Sequence, residues 1–416
     1  MTIKRFGASL ILGFIVLFII SGFFLLAMRT EEVDMQAIWL MLGMILLVLL
    51  QYNILKSVFK HLERMTLLIV DFLCALSVIV IYRLDPDNGV SQFIWVLVGN
   101  AAMIVTLQVI KRVHNFGKAN WAFMLISLGM LASTLVLGST TYGAKNWIRI
   151  GGMSFQPSEF AKILFLIVSA YFLSTRKKQR ALWPYVVYTA LCAVILMLCR
   201  DLGAALLICG TFLVVFYAGT GNFLLTLGGA GAAVGAAFAS YKMFAHVRTR
   251  VLVWRDPWSY YSGEGYQIVQ GLMAIASGGL IGTGLGLGMP NVIPAAHTDY
   301  IFAVICEEFG VIAGIMLIVF YLVFIIRGIL IALNAKNAFD ALLVFGCTVM
   351  LSLQSFIIIG GVIKLIPLTG ITLPFLSYGG SSMLASMIEL GIIEGVAIKN
   401  GETDEAELEE MGGEVE

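Results

Sequence analysis

Apolar runs of roughly 17 to 25 residues recur along this 416-residue chain, and no other feature restricts its fold so strongly. A helix rises about 1.5 Å per residue, so each run is long enough to cross a hydrocarbon core of about 30 Å. The runs fall near residues 8–28, 37–55, 65–82, 90–110, 120–139, 159–174, 183–199, 202–218, 222–244, 300–326, 339–361 and 376–398. Hydrophobic residues make up 60% of the chain and charged residues 12%, too few charges to cover a soluble domain. The expectation is therefore an all-α, polytopic integral membrane bundle with about twelve transmembrane helices and one long extracytoplasmic loop. A net charge of +1 gives no sign of a nucleic-acid partner.

Basic residues, compared loop by loop, orient the bundle with both termini in the cytoplasm. On that side lie Lys4, Arg5, Lys56, Lys60, Arg64, Lys111, Arg112, Lys118, Arg176, Lys177, Lys178, Arg180, Arg327, Lys336 and Lys399, whereas the outer loops among the first four spans hold only Arg29 and Arg83. Later outward cations, Lys145, Arg149, Arg200, Arg248, Arg250, Arg255 and Lys364, break the pattern and invite a functional explanation.

The first apolar run lacks a small-residue cleavage site and reads as a retained helix, not a signal peptide. All six cysteines lie in spans without metal-site spacing, so neither a disulfide framework nor a zinc site is supported. Residues 399–416 form an acidic, aromatic-free tail expected to be disordered. The division is then 1–139 for the N-terminal helices, 140–398 for a core containing the loop 245–299, and the tail.

Loops that long are usually functional. Within it, "EGYQIVQGLMAIASGG" reads as a helix with Gln267, Gln270, Ala274 and Ser277 on one face, either lying in the membrane interface or packed as a lid. The next stretch, "GGLIGTGLGLG", offers backbone amides to an anion but lacks the Lys-Ser/Thr of a P-loop.

"IPAAHTDYIFAVICEEFG" follows. At 100° per residue, Asp299, Ala303, Cys306, Glu307, Gly310 and Gly314 share one face, and its small residues mark it as packed against other helices. Glu308 lies off that face and needs a polar partner. Asp299 has two readings, a helix N-cap with Thr298 or a catalytic acid. A second outer loop, "GAKNWIRIGGMSFQPSEFAK", starts a helix at Pro157 with Glu159 and Lys162 on one face. Two helix N-termini beside Lys145, Arg149, Arg248, Arg250 and Arg255 make an anion site suited to a lipid-linked phosphate or diphosphate.

These stretches, with "RDLGAALLI", "GYQIVQGLMAIASGGLIGTGLG" and "LIPLTGITLPFLSYGGSSM", resemble in order the signatures of the SEDS family, the RodA, FtsW and SpoVE group, over roughly residues 140–395. The resemblance implies a peptidoglycan glycosyltransferase in the bacterial cytoplasmic membrane that polymerises lipid II on its outer face with a class B penicillin-binding protein as partner. It places the catalytic acid on Asp299, with Gln156, Glu159, Lys162, His297, Ser377 and Tyr378 in the matching motifs; Lys145, Arg149, Arg248, Arg250, Gln267, Gln270, Glu307 and Lys364 join them as expected substrate-binding residues on the reading of the outer loops and helix faces. Inverting chemistry needs one base, while basic residues, or a divalent Mg or Mn ion, stabilise the leaving undecaprenyl diphosphate; no metal ligands are assigned.

Three departures stand out. Arg200-Asp201 replaces the usual Pro-Asp, with Ala204 where threonine is common. Lys364 stands near the outer surface, where it either binds diphosphate or snorkels to the interface. Five spans precede the Gln-Pro-Ser-Glu loop instead of three, an RodA-type layout that favours wall elongation over division. The competing class is a lipid II flippase or other lipid-linked carrier transporter, which needs a cytoplasmic route to the acids; a further class is a scaffold that recruits a penicillin-binding protein.

Overall fold

Backbone groups in lipid must be satisfied within their own segment, and the chain answers this with helices in all twelve expected spans. The computed structural model describes residues 2–29, 31–113, 119–141, 144–150, 153–175 and 182–413. Lys118 and the basic run 176–180, with Gly143, Gly151 and Gly152, lie outside them. The order is α1 (Thr2–Ala27), α2 (Met35–Val58), α3 (Arg64–Leu84), α4 (Pro86–Arg112), α5 (Asn120–Leu137), β1 (Ser139–Thr141), β2 (Ala144–Ile150), β3 (Met153–Phe155), α6 (Pro157–Thr175), α7 (Trp183–Leu198), α8 (Leu202–Thr220), α9 (Phe223–Met243), α10 (Ala245–Arg255), α11 (Tyr266–Gly278), α12 (Ile301–Leu333), α13 (Ala338–Val362) and α14 (Gly380–Gly413). Eleven of the described helices are long and apolar enough to cross a membrane, and α7 is a shorter apolar helix. The chain is a multi-pass membrane protein.

Helix starts follow local chemistry. Asp34 accepts from the amides of Gln36 and Ala37 ahead of α2, Asp85 does the same for Asp87 and Asn88 in α4, and prolines open α4 and α6. The open question at Arg200-Asp201 has a local answer: Asp201 caps α8 through the Ala204 amide at 3.0 Å and takes a second bond from Asn146.

The described residues divide into two compact units, one comprising 1–100, 242–324 and 355–383, the other 101–241, 325–354 and 384–416. In the first, α3 is buried along nearly its whole length and packs on α1 and α2. In the second, α6 packs on α5 and α8, and Phe165, Phe172, Tyr185 and Tyr188 form an aromatic core. A small antiparallel sheet, in the order β1–β2–β3, precedes α6.

The glycine-rich stretch after α11 is not a free anion cradle. Helix α12 breaks at Gly310 (φ 86°, ψ 165°), which frees backbone groups on both sides of the break. The glycine-rich backbone takes them up: Thr283 and Gly284 amides donate to the carbonyls of Glu307 and Glu308, and Val311 and Ile312 amides donate to Gly279 and Leu280 carbonyls, all at 2.9–3.2 Å. Two of the amides expected to meet a ligand, Thr283 and Gly284, are spent on the helix break, and those of Gly279, Gly282 and Leu287 bond to carbonyls nearby in the chain. Helix α11 takes the lid reading, since Ala274, assigned to its polar face, is buried with Ile268, Val269, Gly271 and Gly278. A Cβ at Gly278 would stand 2.1 Å from the Cys306 carbonyl oxygen, so the close approach of the two helices needs glycine there.

The acidic tail also departs from expectation. Residues 399–413 continue α14 instead of being disordered, because Lys399 pairs with Asp340, Lys336 with Asp404 and Glu407, and Lys111 with Glu402. Residues 414–416 lie outside the described residues.

Candidate active site

Asp299 stands in the turn before α12. A tight reversal at Ala295 (φ 56°) brings the Thr298 and Tyr300 amides onto the Ala295 carbonyl, and α12 begins only at Ile301. Asp299 is therefore no helix cap: its carboxyl group meets Thr298 and the charge of Arg250, not the first helical amides. The connection between α13 and α14 forms the opposite wall. The Ser377 hydroxyl donates to the Thr298 carbonyl at 2.6 Å, the Tyr378 amide to the His297 carbonyl at 2.8 Å, and the His297 and Tyr378 rings meet edge on, centroids 5.6 Å apart. A Cβ at Gly370 would lie 3.5 Å from Asp299 Oδ2.

Helix α10 supplies the cation. Arg250 is tied by Nη1 to the Thr369 carbonyl at 3.2 Å, and Trp254 Nε1 reaches the Lys364 carbonyl at 3.1 Å, which docks α10 on the same connection. Burial raises the Asp299 pKa to about 6, against the downward pull of Thr298 and Arg250. Burial likewise lowers His297, opposed by Asp85. An acid with that value, facing a cation but not paired with one, is suited to accept a proton near neutral pH.

Other predicted residues of the first unit make contacts within the fold. Gln267 donates to the Pro294 carbonyl and Gln270 to the Tyr261 hydroxyl, both at 3.1 Å, tying α11 to its loop. Arg248 is exposed and reaches the Lys242 carbonyl. Glu307 accepts from the Met289 amide at 3.0 Å, and Glu308 finds the polar partner it requires in Arg83 at 2.8 Å, a fully enclosed pair. Arg83, counted by sequence among outer-loop cations, is thus a buried ion-pair partner.

The second unit holds the other predicted acid. Glu159 and Lys162 bridge at 2.8 Å one turn apart on α6, and Lys162 also reaches Gln354 Oε1 at 3.1 Å. The Gln156 carbonyl accepts from the Glu159 amide. Lys145 pairs through its backbone with Cys199 and points its ammonium at the Leu135 carbonyl, while Arg149 is exposed on β2. Glu389 on α14, buried and within electrostatic reach of both Glu159 and Lys162, escaped the sequence reading. An acid inside an apolar span is the signal that marks it.

Residues 62–402 match the family described as "Cell cycle protein", the FtsW, RodA and SpoVE group. The chain belongs to this family. Similar proteins include "Peptidoglycan glycosyltransferase RodA" of Mycobacterium tuberculosis (strain ATCC 25618 / H37Rv), 37% identical over 360 residues that cover 80% of this chain and 77% of the relative. "Probable peptidoglycan glycosyltransferase FtsW" of Geobacter metallireducens is 32% identical over 371 residues, covering 82% and 96%. Among solved structures, the Thermus thermophilus rod shape determining protein RodA superimposes with a TM-score of 0.61 at 26% identity, covering 81% of this chain and 96% of that one. A chain described under "Structural coordination of polymerization and crosslinking by a peptidoglycan synthase complex" gives 0.69 at 25% identity, covering 82% and 98%. Among FtsW, RodA and SpoVE proteins, then, this chain has the family's helical membrane fold.

Proposed function

We propose that this peptidoglycan glycosyltransferase polymerises lipid II into β-1,4-linked glycan strands at the outer face of the bacterial cytoplasmic membrane, with Asp299 as general base. The observation that carries the assignment is the Asp299 carboxyl group itself: half-buried, hydrogen-bonded with Thr298, raised to about 6 and under the charge of Arg250. Lipid II presents its sugar through an α-linked diphosphate and the product is β-linked, so one in-line displacement with inversion suffices. Asp299 takes the proton of the acceptor's 4-hydroxyl as that oxygen attacks the donor's anomeric carbon. The diphosphate leaves with the electron pair of the broken bond, and Arg250, whose charge acts on Asp299, is the cation assigned to meet it, whereas the charge of Lys364 acts on Asp256. Among the described residues no three acid, His or Cys side chains gather as a metal set; a Mg or Mn ion serving here would be held by Asp299 and would supply positive charge to the leaving diphosphate.

The loop cations support an orientation with both termini cytoplasmic, which puts Asp299 outside. A class B penicillin-binding protein is the expected partner, as the relative in a peptidoglycan synthase complex suggests. The RodA-like layout supports a role in elongation. Purified protein with labelled lipid II in liposomes, with and without the penicillin-binding protein, tests this: wild type should give polymer ladders and Asp299→Asn none. Ladders from folded Asp299→Asn would remove the base assignment.

A further inference from the structure

The geometry points to Ser77 on α3 and Gln92 on α4 as positioning residues for the Asp299 turn, an inference that rests on the reading of Asp299 as base. Neither lies in a signature stretch, and both side chains are wholly enclosed, at 0% exposure. Gln92 Nε2 donates to Ser77 Oγ at 3.0 Å and to the Ser377 carbonyl at 3.3 Å. Ser77 Oγ in turn donates to the Leu376 carbonyl at 2.6 Å. The next link is Ser377, whose hydroxyl accepts from the Leu373 amide at 2.9 Å and donates to Thr298, the residue before Asp299. Two membrane helices thus reach the catalytic turn through hydrogen bonds to the Leu376 and Ser377 carbonyls and, across residue 377, its hydroxyl bond to Thr298.

The arrangement fixes its own chemistry. The Ser377 carbonyl only accepts, so the Gln92 amide must turn its NH2 toward it, and both its hydrogens are used. Its Oε1 is left buried without a partner among the described residues, a cost the fold retains. The carbonyls served belong to the α13–α14 connection and not to a helix. That connection passes through Phe375 with φ at 63°, a conformation that persists only where neighbours impose it. Without Ser77 and Gln92 two buried carbonyls lose their donors, and the connection has reason to shift together with the Thr298 carbonyl it holds. Ser377, placed by sequence among substrate contacts, acts in this account through Asp299's turn.

Gln92→Leu, Ser77→Ala and the double variant, assayed for lipid II polymerisation across pH in liposomes, test the inference. Displacing a base by around 1 Å costs up to about 100-fold, so each single variant should lower kcat about 10- to 100-fold with KM for lipid II within about twofold of wild type. Because both residues act through one connection, the double variant should be no slower than the worse single. A loosened turn admits water to Asp299, so the acid limb of the rate profile should move to lower pH. Arg250 from α10 and Tyr300 at the head of α12 are the other titratable groups reaching Asp299, with Asp85 acting on neighbouring His297, and all stay in place in these variants. The limb's position does not depend on how much protein is folded, so a poorly folding variant still answers. A raised KM at constant kcat, multiplying effects or an unmoved limb would overturn the inference. Asp299→Asn in parallel separates the two readings: activity there removes the base itself, whereas an inactive Asp299→Asn beside unaffected Gln92 and Ser77 variants removes only the positioning role.

Discussion

Glu159 sits on a helix one turn from a lysine that bridges it at 2.8 Å, whereas Asp299 sits in a turn where a hydrogen bond with Thr298 and the charge of Arg250 oppose burial. Both acids come from motifs of one family; Glu159 is buried and Asp299 half-buried. The first has its charge matched on the spot and fixed by regular structure. The second is held by other residues' backbones, and its carboxyl group stays available to exchange a proton. A buried acid paired at contact distance is a structural investment; one left unpaired and raised toward neutrality is poised for chemistry.

The strongest way to break this contrast is Asp299→Asn. Loss of a general base should slow polymerisation about 10²- to 10⁴-fold while leaving the detergent melting curve near wild type. A variant that melts early would place Asp299 with Glu159 as a structural acid. Lys162→Met should do the reverse, costing about 3 to 5 kcal/mol of stability by stranding Glu159, with part recovered on adding Glu159→Gln. Denaturation of both variants reads this directly.

Gly278→Ala probes the frame between the lid helix and α12: its Cβ meets the Cys306 carbonyl, and overpacking of about 1 to 3 kcal/mol is expected in the same assay. For the pH dependence, polymerisation requires ionised Asp299 and so should rise with pH through about 6. Arg250→Gln removes a charge that favours ionisation, so the acid limb should move to higher pH, opposite in sign to the Gln92 variants. The smallest effect belongs to Lys111→Ala, whose partner Glu402 is half exposed; melting should be unchanged within error.

Spans are legible because a lipid-facing backbone must satisfy itself locally, and the apolar run records that demand. Glu159 and Lys162 were legible for a similar reason, being one turn apart. The need of Glu308 for a partner was legible, but the partner was not, because Arg83 lies 225 residues away. Gln92 and Ser77 carry no local signal at all: their function is set by a connection about 300 residues downstream, 299 in the case of Ser77 and Leu376. The glycine-rich stretch misled because free amides and amides committed to a helix break look alike in sequence.

The Arg83–Glu308 pair also bears on how the protein is made. At roughly 5 to 20 residues per second, synthesis of the 225 residues between them takes about 10 to 45 s. During that interval α3 is already emerging with a cation in its last turn and without Glu308, its partner in the folded protein. The long arginine side chain can reach the headgroups from there, so the nascent helix waits at the membrane boundary. The pair then closes only after α12 arrives, which makes it a late seal on biogenesis.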